Sequence, residues 1–167
     1  MASGDYEFSA VNNLYLKALG EILQMRLLKE LREAEGEVYS PSIQTLYNKE
    51  PKNRYAMIVN FGCEPKNADH LIDLVEKEMK KVITSGVTKD EIEKFKAAYS
   101  KNLDLALKNN GFWLTYLSSQ FQNHEDIYEI TKAKSNLDKV NESNLKTAAQ
   151  IFLSTANFIT FELLPAN

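Results

Sequence analysis

The sequence predicts an α+β domain, with helices packed on one face of a mostly antiparallel sheet. Three observations carry this. A long leucine-rich helical pattern opens the chain, two alternating apolar runs follow across a polar turn, and several helical patterns precede one last β-rich run. The order helix, two strands, helices, strand is that of segregated helices on an antiparallel sheet.

Residues 6–32 read as one helix. Leu16, Leu19, Leu23 and Leu27 form a row that Ala18, Ile22 and Met25 widen and Leu28 and Leu31 continue. So broad a stripe suits a helix lying on a sheet. Residues 33–36 are polar and end in Gly36, a C-cap signal. Residues 38–47 read as a strand, in which Pro41 demands a strand start, an edge or a bulge. Residues 48–53 are a turn by composition. In residues 54–62, Tyr55, Met57, Val59 and Phe61 fall on one face and Ala56 and Ile58 on the other. The two runs predict an antiparallel hairpin.

A helix over 64–85 follows, with Leu71, Leu74, Val75, Met79, Val82 and Ile83 as its buried stripe and Gly86 as its stop. Thr88 and Glu91 have the spacing of a capping box, opening a helix that carries Ile92, Phe95, Tyr99, Leu103 and Ala106 on one face. Shorter helices are expected over 112–121 and 126–134. Asn141 can cap a last one through Ala148, Ala149 and Ile151, and residues 157–164 close the chain as a strand. Three strands are few for so many helices. At least one strand is therefore expected upstream of residue 1, and the edge left bare is expected to favour a dimer by self-pairing.

At 167 residues the chain makes about one domain. With 44% apolar and 26% charged residues it is ordinary globular protein. A net charge of -3 gives no support for nucleic acid or an anionic membrane as partner. No stretch reaches the roughly 18 apolar residues of a membrane span, and the start lacks the apolar core of a signal peptide. The lone Cys63 cannot form an internal disulfide and leaves the compartment open. Residues 1–4 read equally well as residues appended in cloning, which suits a piece of a longer protein.

Chemistry-bearing residues are few. His124-Glu125-Asp126-Ile127-Tyr128 opens like H-E-x-x-H, but Tyr128 stands where the second ligand belongs. His70-Leu71-Ile72-Asp73-Leu74 fails the inverted H-x-x-E-H pattern at both last positions. A zinc site needs about three protein ligands, so both histidines read as surface or capping residues. Cys63 has no histidine near it in sequence and reads as a packed thiol. Phe112, Trp113 and Tyr116 read as core, or else as the patch of a stand-alone binding module. The charged runs 76–81 and 89–91 read as solvated helix faces. Arg32 and Tyr39 remain, seven residues apart at the two lips of the helix-to-strand turn. A guanidinium and a phenol held there can both donate hydrogen bonds to a carbonyl or a developing oxyanion. Their bland reading is a cation at a helix C-terminus and a ring at the sheet rim.

Leu31-Arg32-Glu33, Gly36 and Val38-Tyr39-Ser40 together resemble the signature of the C-terminal domains of pitrilysin/insulinase-family zinc peptidases. Tyr39-Ser40-Pro41-Ser42, Arg54-Tyr55, Asn60-Phe61-Gly62-Cys63 with Pro65, Thr88-Lys89-Asp90-Glu91-Ile92 and Asn110-Gly111-Phe112-Trp113-Leu114 resemble the last domain of the large bacterial periplasmic type. The matches run through nearly the whole chain. Glu35 and Glu37 around Gly36 depart from the pattern by their acidity.

The resemblance implies a mitochondrial-processing-peptidase-like metallohydrolase fold, lacking an N-terminal strand, and a domain that completes a clam-shaped peptide chamber with a missing N-terminal half. By that resemblance Arg32 holds a substrate carbonyl and Tyr39 donates to the tetrahedral oxyanion. Zinc and the general-base glutamate belong to the N-terminal half. This fragment would bind no cofactor and cleave nothing alone. The compartment is unknown, the parent's being a bacterial periplasm or cell envelope. The alternative is a catalytically inactive homologue serving as a structural or partner-binding subunit.

Overall fold

A computed structural model describes residues 1–35, 39–154 and 157–163, with the side chains of residues 31–35, 39 and 40 outside the description. Its described strands are β1 (Ala2–Asp5), β2 (Tyr39–Asn48), β3 (Arg54–Gly62) and β4 (Asn157–Phe158). They form one sheet in the order β2-β3-β1-β4, antiparallel at every pairing. On β3, Tyr55 and Met57 are buried and Val59 and Phe61 pack on the core, so the expected inner face is borne out. The hairpin is present as well, with Asn48 opposite Arg54.

The three strands expected within this chain are joined by a fourth. Residues 1–4, in which no element is expected, largely make β1, an interior strand of the sheet. Ala-Ser-Gly-Asp has little β-propensity of its own. Pairing on both sides makes it a strand, with Ala2 opposite both Met57 and Phe158. Gly4 is required there, because a Cβ would lie 2.9 Å from the Tyr55 ring. At the other end β4 is shorter than expected. Met1 and Ile159 exchange two backbone hydrogen bonds of 2.7 and 2.9 Å just beyond it, and residue 164 lies outside the described residues.

Helix α1 (Ala10–Glu35) starts four residues later than expected. Ser9 is its cap, its Oγ accepting from Asn12 N–H at 3.0 Å. The buried Tyr6 before it stacks on Tyr47 and donates to Asn13 Oδ1. Leu16, Leu19, Ile22, Leu23 and Leu27 are fully buried. A Cβ on Gly20 would lie 2.6 Å from Thr45 Cγ2, so the missing side chain sets how closely α1 approaches β2.

Helices α2 (Ala68–Ser85), α3 (Lys89–Ala106) and α6 (Glu142–Ala149) surround α1. Gly86 ends α2 at a φ of 78°, Thr88 and Glu91 close the capping box, and Asn141 caps α6. Two charged residues depart from the solvated faces expected of them. Glu78 is 3% exposed and paired with Lys81, and Glu91 turns inward to α1.

Helix α4 (Asn110–Gln122) packs on the 3-10 turn Ile127–Lys132 that precedes the short α5 (Ala133–Asn136). Because it rests on that turn and not on the sheet, Phe112, Trp113 and Tyr116 are half-buried and not core as expected. Leu114 and Phe121 stay largely exposed.

Candidate functional site

The corner between α1 and β2 is the frame of the expected site. Arg32 lies in the last turn of α1, and Tyr39 is the first residue of β2, paired with Gly62. The side chains of both lie outside the described residues, as do Gly36, Glu37 and Val38 entirely. The surrounding residues fix where the corner stands.

Between Tyr39 and Ser42 the register with β3 shifts by one residue, from Tyr39 opposite Gly62 to Ser42 opposite Asn60. The irregularity sits at Pro41 on the edge strand, as the proline demands. Gln24 of α1 holds it. Its Nε2 donates to the Pro41 carbonyl and its Oε1 accepts from Ile43 N–H at 2.6 Å. A primary amide thus satisfies two backbone groups that face away from β3, as an added strand would.

Six residues before Arg32, Arg26 makes a two-pronged contact with Glu91 at 2.6 and 2.8 Å, and its Nη2 donates to the Gly86 carbonyl at 3.2 Å. The hydrogen bond it donates to Glu91 holds the Arg26 guanidinium above its ordinary pKa. Burial alone would raise the Glu91 carboxyl, but bonds from Arg26 and the Thr88 backbone hold it below its usual value. The same carboxylate accepts from Thr88 N–H at 2.7 Å. One side chain therefore locks α1 to the start of α3.

Two cavities flank β2 and β3. A groove of about 490 Å³ runs between the end of β3, α2 and the segment after β4, lined by Phe61, Gly62, Cys63, Ile72 and Phe161. Gly62 is the residue opposite Tyr39, so the corner borders this groove. Phe158, Phe161 and Leu163 along it are largely exposed. A second cleft of about 870 Å³ lies between α1, β2 and the α4 layer. At its mouth Lys49 sits 4.0 Å over the Phe8 ring and 2.5 Å from Glu125 Oε1.

His70 and His124 are exposed, and His124 takes a φ of 54° just past the end of α4. Cys63 packs half-buried against the core. Among the described residues no three His, Cys, Asp or Glu side chains stand close enough to hold a metal, so they do not fit a zinc site. No helix of the described residues is long and apolar enough to cross a membrane.

Sequence reasoning missed Gln24 and the Arg26–Glu91 contact. A glutamine on the flank of an apolar stripe, facing a strand with a proline, was the available signal for the first. Nothing local signals the second, whose partners are 65 residues apart.

Helices α1, α2, α3 and α6 packed on one antiparallel sheet define an α+β domain. The chain belongs to the family described as the peptidase M16 inactive domain, whose pattern matches residues 4–99. The resemblance to C-terminal domains of pitrilysin-type zinc peptidases is thereby borne out. The chain is 23% identical over 151 residues to the Escherichia coli K12 protein named "Probable zinc protease PqqL". That match takes in 90% of this chain and 16% of the relative, so the chain spans about a sixth of that relative's length. The crystal structure of the periplasmic protease PqqL from Escherichia coli superposes with a TM-score of 0.79 at 20% identity, over 93% of this chain and 17% of that one. The peptidase M16 inactive domain from Pseudomonas fluorescens gives 0.74 at 14% identity, over 92% and 39%. At such identities the likeness is one of fold.

Proposed function

We propose that this chain is the C-terminal, substrate-contacting domain of a zinc metalloendopeptidase and completes its peptide-binding chamber. The observation that carries it is the corner itself. α1 ends at Glu35 and β2 begins at Tyr39, so Arg32 lies near the close of one element and Tyr39 opens the next, framed by Gln24 and the Pro41 bulge. Arg32 binds a carbonyl of the peptide there. Tyr39 donates to the oxyanion as the carbonyl carbon becomes tetrahedral. In this reading zinc would be held by an N-terminal half, where it would supply the Lewis acid and the activated water.

The parent works in a bacterial periplasm or cell envelope, a reading supported by the periplasmic relative. Pairing of two copies through the β4 edge, where Phe158 is 51% exposed, belongs to the same proposal. A monomeric elution profile at high protein concentration contradicts that part. Combining this chain with an upstream half that carries the zinc motif tests the whole. Peptide hydrolysis is expected only when both are present. Full activity of the upstream half alone would overturn the proposal.

A further inference from the structure

The larger cleft contains an aromatic pair and an acidic cluster that the oxyanion chemistry does not use. The rings of Phe112 and Tyr116 stack at 5.9 Å with an interplanar angle of 14°. The Tyr116 hydroxyl is pinned, donating to the Ile127 carbonyl at 3.0 Å and accepting from Ile130 N–H at 3.1 Å. Burial pushes its phenol above the ordinary value, against the bond from Ile130 N–H and with smaller help from Glu129, Asp126 and Glu125. Glu125, Asp126 and Glu129 line the same cleft as this ring pair.

Four carboxylates line the cleft, Glu21, Glu125, Asp126 and Glu129, against two ammonium groups, Lys17 and Lys49. Both lysines are already engaged. Lys17 lies over Tyr99 at 5.2 Å and Lys49 over Phe8 at 4.0 Å, the latter neutralised by Glu125. The cleft thus seats two of the chain's own cations on aromatic faces. Among the described residues, none sits on the Phe112–Tyr116 pair. Glu129 is shared with Lys132 at the surface, while Asp126 is the cap of the turn and accepts from Tyr128 N–H.

The opposite wall supplies a backbone edge. Ile43 N–H turns away from β3 to Gln24, and alternation along a strand turns the N–H groups of Thr45 and Tyr47 the same way. Both residues line the cleft, and β2 is the last strand on that side of the described sheet. An extended peptide can add to such an edge.

We propose that this cleft binds an extended peptide through a basic side chain, arginine or lysine. The cation rests on the Phe112–Tyr116 pair beside Asp126 and Glu129, and the peptide backbone pairs with β2 at Thr45 and Tyr47. Cation–π attraction and opposite charge act together on the cation. The site rests on the reading of this chain as part of a peptide chamber, and it names the class of peptide taken.

The test uses this chain and a capped pentapeptide of four alanines with a central arginine, against the same peptide with neutral citrulline. Trp113, the only tryptophan, lies 5.6 and 6.2 Å from the two rings and reports binding by fluorescence. The arginine peptide is expected to bind about tenfold tighter, the scale of one cation–π contact beside a carboxylate. It should also shift the amide resonances of Thr45 and Tyr47. Combining Asp126→Asn, which keeps the cap acceptor, with Glu129→Gln should erase the preference and leave the fold intact. Equal binding of the two peptides, no saturable binding, or shifts that spare Thr45 and Tyr47 would overturn the proposal. The outcome is separable from the oxyanion role of Tyr39. An arginine preference here stands even if loss of the Tyr39 hydroxyl leaves the parent's turnover unchanged.

Discussion

The side-chain amide of Gln24 spans the bulge of β2, donating to the Pro41 carbonyl and accepting from Ile43 N–H at 2.6 Å. Pro41 is itself buried, so its carbonyl has little access to water as a substitute. Gln24→Leu keeps the side chain's bulk and removes both bonds. The expected cost is about 1–3 kcal/mol, the penalty of leaving buried polar groups unpaired. Denaturant unfolding measures that cost. Faster hydrogen exchange at Ile43, with exchange at Met57 unchanged, would place the effect at the bulge.

The contact between Gly20 and Thr45 makes an opposite test. Alanine favours a helix over glycine by about 1 kcal/mol, yet a methyl group here meets Thr45 Cγ2 at 2.6 Å. Overpacking costs about 1–3 kcal/mol, so Gly20→Ala should destabilise. Adding Thr45→Ser removes the obstructing methyl and should make Gly20→Ala neutral or stabilising. Thermal unfolding of the single and double variants decides it.

The Arg26–Glu91 pair predicts a pH dependence. The Glu91 carboxyl titrates below its usual range in the folded chain, so its native bonds count in full above the unfolded value. As pH falls, the unfolded chain takes up the proton first, and the stabilisation is lost through the folded value. Arg26→Ala should cost on the order of 3 kcal/mol at neutral pH, because it leaves a half-buried carboxylate without its cation. Glu91→Gln should flatten the acid limb of the stability profile. Urea midpoints across the acid range check both.

Where an element's residues carry the whole signal, it was legible. The leucine row of α1, the alternation of β3, the Thr88–Glu91 box, the Asn141 cap and the demand of Pro41 for a bulge all hold. Where structure comes from remote partners, it was not. The strand at Ala2–Asp5 exists because β3 and β4 close on it, not because its residues favour extension. Glu78 looks like a surface charge until the fold buries it, and Glu91 until the fold brings Arg26 to it. The aromatic run on α4 has the composition of a core, but its helix rests on a turn and not on the sheet. For the corner at Arg32 and Tyr39, position came from a motif resemblance and frame from Gln24. The roles of the two side chains remain the proposal.

The measurement that tests the central claim most directly is the turnover of the parent peptidase carrying Tyr39→Phe. Phenylalanine keeps the ring at the start of β2 and removes only the donor. A loss of turnover on the order of 10²–10³, with KM little changed, is the expected result, as for removal of one oxyanion donor. Turnover equal to that of the unaltered parent would contradict the account.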